Sequence, residues 1–132
     1  MTINELRREY SKRTGGKSAP SEHSLQVACV RWFRMAYPRG IIYAVPNGSW
    51  CGAVQGRKLK DEGLTAGIPD LVIPMARRGH HALYIEMKNG KAGRLSEHQQ
   101  EMIARLNREG NACTVCHSFN EFRAIVEDYL SG

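Results

Sequence analysis

The apolar residues of this chain change period several times within 132 residues, and that alternation confines it to one architecture. Around Leu25, Ala28, Cys29, Trp32, Met35 and Ala36 they recur at three and four residues, the spacing of one helix face. Between residues 82 and 88 they recur at every second position, the spacing of a strand. Ser21 supplies an N-cap, predicting a helix over 22–36. Residues 41–45 are a β-rich run that ends at Pro46-Asn47-Gly48. Residues 53–62 suit a short helix or a basic loop, and Gly63, Gly67 and Pro69 break any regular element after it. Leu71-Val72-Ile73 is a short apolar strand, joined through Gly79 to the strand at 82–88 as an antiparallel hairpin. Ser96-x-x-Gln99 and Ser118-x-x-Glu121 have the form of capping boxes. They open helices to about residues 109 and 130, on either side of a strand at 112–117. Met102, Ile103 and Leu106 form the apolar stripe of the first, and Phe122, Ile125, Val126 and Tyr129 that of the second. The order predicts one α/β domain, a small mixed sheet flanked by helices, over residues 21–132. Residues 1–20 read as a basic arm or a short helix ahead of it.

Charge is distributed unevenly. Residues 1–60 hold eleven basic and three acidic side chains, and residues 61–132 hold eight and ten. No acid occurs between Glu22 and Asp61. A basic half suggests a polyanionic partner, most often nucleic acid. No apolar run approaches the roughly 18 residues of a membrane span, and the start lacks an apolar signal core, so the expected location is cytoplasmic. Cys113-Thr-Val-Cys116-His117 has the spacing of a haem-attachment motif. On a strand, however, positions three apart face opposite ways, so neither haem nor zinc is expected there. Cys29 reads as a small core residue.

The chemistry concentrates on the hairpin. Asp70 opens one strand, and Glu86 and Lys88 lie on one face of the next. Paired antiparallel, the strands can bring Asp70 opposite Glu86. Two neighbouring carboxylates repel, and a divalent cation relieves the conflict. Hard oxygen donors favour Mg²⁺ or Mn²⁺. Carboxylates that hold such a cation, with a lysine alongside, form a working set for phosphodiester hydrolysis. Glu86 and Lys88 have an ordinary alternative as the exposed face of an edge strand. Glu22 has one too, as a first-turn acid favoured by the helix dipole. Its place on the apolar stripe nevertheless aims it toward the core side of the helix.

Ile68-Pro69-Asp70, then fifteen residues, then Glu86-Met87-Lys88, resembles the PD-(D/E)xK nuclease signature. With Pro46-Asn47-Gly48, Gly67, Ile85, and Leu95-Ser96 followed by Gln99, the chain is similar over residues 21–130 to the VRR-NUC nucleases. The resemblance implies a restriction-endonuclease-like core of order αβββαβα. It implies that Asp70, Glu86 and the backbone carbonyl of Met87 ligate a metal, and that Glu22 helps to hold the metal or its water. It makes Lys88 the catalytic lysine, sets Gln99 beside the site, and puts Asn47 on a DNA-facing loop. It also implies a homodimer acting on branched DNA such as Holliday junctions. Trp50 and residues 41–45 are the expected interface candidates. Arg7, Arg8, Lys12, Arg13, Arg57, Lys58, Lys60, Lys91 and Arg94 are the expected phosphate contacts. The rival reading is a non-catalytic DNA-binding module that keeps a nuclease fold.

Overall fold

Two prolines set the length of the central strand. The structure, a computed structural model, describes residues 21–46, 53–90 and 94–132. Its elements are α1 (Glu22–Ala36), β1 (Tyr43–Ala44), α2 (Ala53–Asp61), β2 (Leu71–Ile73), β3 (Leu83–Met87), α3 (Glu97–Arg108), β4 (Ala112–Cys116) and α4 (Phe119–Ser131). Proline has no N–H for a ladder, so β2 is confined between Pro69 and Pro74. That brevity trims the strand expected at 41–45 to two residues. Tyr43 and Ala44 pair with Val72 and Leu71, and the Val45 N–H goes to the Asp70 carbonyl at 2.8 Å.

The sheet order is β1-β2-β3-β4. β1–β2 and β2–β3 are antiparallel, and β3–β4 is parallel through the α3 crossover. The hairpin between β2 and β3 turns at Arg78 and Gly79, both at positive φ (51° and 80°), inside the reciprocal Arg77–His80 hydrogen bonds. The expected α/β class and mixed sheet are therefore what the chain adopts.

One sheet face, with Leu71, Ile73, Leu83, Ile85, Met87 and Cys116, is buried against α1 and α4. From α1 come Leu25, Ala28, Cys29, Trp32 and Phe33. Phe33, not Met35 or Ala36, completes the stripe, because the last turn of α1 rotates past the sheet and leaves Met35 36% exposed. Trp32 meets Tyr37, Phe119 and Phe122 edge-on at 5.9, 6.2 and 6.0 Å, the geometry favoured by the ring quadrupoles. On α4 the buried residues are Phe119, Phe122, Val126 and Tyr129, with Ile125 half-buried. Ser118 caps α4 by accepting from Glu121 N–H. The return arm of the expected capping box differs, since the Glu121 carboxylate takes the His117 N–H instead.

The register sets Tyr43, Val72, Tyr84 and Cys113 in one row on the second face. α3 lies over β4 there, and its stripe of Met102, Ile103 and Leu106 is only half-buried. Cys113 lies on this face while Cys116 lies in the core. The two thiols therefore point opposite ways, and burial pushes them up to about 11 and about 12. Among the described residues no helix is long and apolar enough to cross a membrane.

Candidate active site

The β2–β3 register pairs Leu71 with Ile85, and one step further it sets Asp70 opposite Glu86. The segment that delivers Asp70 is held close to α3. Gly67 has φ +84°, and its Cα–H direction faces the backbone of His98 and Gln99 so closely that a Cβ would stand 2.4 Å from the His98 carbonyl oxygen. Pro69 behind it is buried. The Asp70 carboxylate then accepts the Met87 backbone N–H at 2.8 Å, which clips the start of β2 to the end of β3.

Glu86 is 4% exposed, the one buried charged residue among those described. β3 is an interior strand, not an edge, so the exposed-face reading of Glu86 does not hold. Its Oε1 accepts from Gln99 Nε2 at 2.9 Å and lies 3.7 Å from Lys88 Nζ. Gln99 is itself fixed by its helix cap: its Oε1 accepts the Ser96 N–H at 2.9 Å, while Ser96 Oγ accepts the Gln99 N–H at 3.2 Å. The capping box therefore aims the glutamine amide at Glu86. Glu86 Oε2 is buried without a hydrogen-bond partner. A lone buried acceptor on a carboxylate is costly, on the order of 1–3 kcal/mol or more.

Asp70 and Glu86 stand opposite each other across the ladder, and each bears on the other's proton. Burial, then the Asp70 charge, push Glu86 up to about 8 despite the nearby Lys88. Burial also raises Asp70, against the opposing pull of the Met87 N–H. The pair therefore favours holding a proton when no cation is present. Glu22 does not turn toward the core. It is exposed, at the mouth of a cleft of about 660 Å³ whose lining includes Asp70. Its charge raises both carboxylates, but among the described residues no three His, Cys, Asp or Glu side chains gather closely enough to hold a metal ion.

Thus Asp70, Glu86, Lys88 and Gln99 converge, and Glu22 faces them from the cleft mouth. Of the expected phosphate contacts, Arg57, Lys58, Lys60 and Arg94 are exposed. Arg7, Arg8, Lys12, Arg13, Asn47 and Lys91 lie outside the described residues, as does Trp50. The sequence reading missed His23, Arg31 and Arg34, which line the cleft beyond Glu22. Their signal was available: on α1 they share the face turned away from the core stripe, in a stretch without acids.

The fold and site together define a mixed-sheet α/β domain with a carboxylate pair and a lysine at one end of its hairpin. A family model, the VRR-NUC domain, matches residues 17–120. The chain belongs to this nuclease-like family. A solved structure of a VRR-NUC domain protein shares its fold with a TM-score of 0.72 at 24% identity, over 86% of this chain and 91% of the other. No curated protein matches the chain.

Proposed function

We propose that the protein is a metal-dependent endodeoxyribonuclease of the PD-(D/E)xK kind, hydrolysing phosphodiester bonds in the cytoplasm. The observation that carries the reading is the buried Asp70–Glu86 pair with Lys88 Nζ 3.7 Å from it and Glu86 Oε2 lacking any partner. Such a set of hard oxygens fits Mg²⁺ or Mn²⁺. Asp70, Glu86 and the Met87 carbonyl would hold the cation, with Glu22 assisting from the cleft mouth. Bound there, it would polarise the scissile phosphate and lower the pKa of a bound water.

The chain's own groups supply the rest. Gln99 holds Glu86 Oε1 and so leaves Oε2 as the open acceptor. Lys88 orients the attacking water and balances negative charge as it develops on the phosphate. Its stem is largely enclosed, with 15% of the side chain exposed, so the ammonium has little freedom to wander. The exposed bases of α2 and Arg94 would grip the phosphate backbone. Branched DNA such as Holliday junctions is the proposed substrate class. A homodimer, one cut per protomer, is the proposed assembly. Ile41, just before β1, and Tyr43 on it are 54% and 49% exposed, as an interface there requires.

The test is a panel of junctions, flaps and linear duplexes incubated with the purified protein and Mg²⁺, Mn²⁺ or EDTA. Cutting should need the metal and vanish in Asp70→Asn and Lys88→Ala, which should still bind DNA. If wild type and both variants bind equally and none cuts, the protein is a binding module.

A further inference from the structure

Charge on the outer faces of the helices is balanced differently. α4 interleaves signs, Glu121 and Glu127 with Arg123, and α3 carries as many acids as bases, Glu97 and Glu101 ahead of Arg105 and Arg108. Arg123 and Glu127 pair at 2.9 Å, the ordinary pattern of a solvated helix. α1 does not interleave. Glu22 is its only acid, and every later charged position on it is a base. Those bases are not spread around the helix. His23, Arg31 and Arg34 all line the same cleft as Glu22 and Asp70.

The cleft is therefore polarised along its length. Acids stand at the end nearest Glu86, and bases continue along α1 toward its C-terminus. From Glu22 to Arg34 the helix runs about 18 Å at 1.5 Å per residue. Between His23 and Arg31 the helix lines it with Gln26, Val27 and Val30, and Ala44, Val45 and Pro46 line it from the β1 segment. A uniform anion site would keep acids away altogether, and a cation site would keep arginines away. A surface that carries one and then the other suits a ligand with a regularly charged backbone, one phosphate of which sits at a cation-binding end.

We infer that the α1 wall of this cleft is the track for the scissile strand, with Arg31 and Arg34 holding the sugar–phosphate backbone on one side of the cut. The inference rests on the nuclease reading and adds residues to it. Arg31 and Arg34 are binding residues, remote from the reacting atoms, and act on affinity and not on the chemical step.

The test is fluorescence anisotropy of labelled duplex and junction DNA in EDTA, titrated from low to high NaCl, using the full chain. Losing two phosphate contacts in Arg31→Ala/Arg34→Ala should reduce the slope of log K against log[salt] by about 1.8. Affinity near physiological salt should fall at least tenfold, and Arg31→Lys/Arg34→Lys should restore most of the slope. In Mg²⁺ the alanine variant should raise KM and keep kcat. Arg123→Ala, on α4 outside the cleft, should change neither. An unchanged slope in the alanine variant overturns the track, as does an equal loss in Arg123→Ala, which would reduce the effect to net charge. A fall in kcat at constant KM and slope overturns it too, by moving the arginines to the chemistry. If wild type fails to bind DNA at all, the nuclease reading falls first and the track with it.

Discussion

Replacing Gly67 by alanine should damage the proposed active site without touching any of its side chains. Two costs are separable. At φ +84° an L-residue is strained by roughly 1–2 kcal/mol. The added Cβ would also stand 2.4 Å from His98 O, 2.6 Å from His98 C and 3.0 Å from Gln99 N. All three are backbone atoms of the first turn of α3, so no side chain can swing aside. The loop or the helix must retreat by on the order of 1 Å, and overpacking of this kind costs roughly 1–3 kcal/mol. The sum is about 2–5 kcal/mol of stability. The retreat separates the loop that delivers Asp70 from the helix that delivers Gln99 to Glu86. A displacement of about 1 Å at a reacting centre costs on the order of 100-fold in kcat. Gly79 is the matched control, since its φ is +80° but nothing lies within 4 Å of its Cβ position. Gly79→Ala should lose only the strain and keep full cutting activity. Urea denaturation of both variants, then single-turnover cleavage at saturating DNA, checks the difference. Equal stability loss in the two, with wild-type cleavage in Gly67→Ala, would refute the steric account.

The same geometry sets three further outcomes. Glu86 binds its proton more tightly folded than unfolded, so the folded form holds extra protons between the ordinary glutamate range and about 8. Stability of the metal-free protein should therefore fall as pH rises from about 5 to 8. Glu86→Gln should flatten that slope, and a profile as steep in the variant as in wild type would assign it elsewhere. Gln99→Ala removes the hydrogen bond to a buried carboxylate, worth roughly 1.5–3 kcal/mol. It should lower kcat about 10- to 100-fold while DNA affinity measured in EDTA stays level. Trp32→Ala empties the junction of α1 and α4 and should cost about 3–5 kcal/mol by urea melt. A loss below about 1 kcal/mol would mean that the aromatic cluster does not hold the two helices together.

Much of this molecule could be read from the order of its residues, because local physical chemistry is enough for elements and for spacing. Ser21 and Ser96 are caps wherever the rest of the chain goes, and α1 runs over the span that its cap and period imply. The two-residue spacing of Glu86 and Lys88 sets both on one strand face, and antiparallel pairing of a short hairpin carries Asp70 to its partner. The thiols of Cys113 and Cys116 are parted by the strand period alone.

What the sequence could not decide was which surfaces are covered. The period of α1 allowed Met35 and Ala36 beside Trp32 as core, but the last turn of the helix passes the sheet and Phe33 is buried in their place. The stripe drew Glu22 toward the core, and the neighbouring strands left it at the mouth of an open cleft. β1 shrank because its partner strand is bounded by Pro69 and Pro74, far along the chain. Most of all, the burial of Glu86 comes from β4 on one side, β2 on the other and α3 above. A carboxylate's pKa depends on what excludes water from it, and that is a property of three dimensions. The residue types and their spacing named the chemistry. Only the packing made Glu86 a buried acid with one oxygen held by Gln99 and the other open.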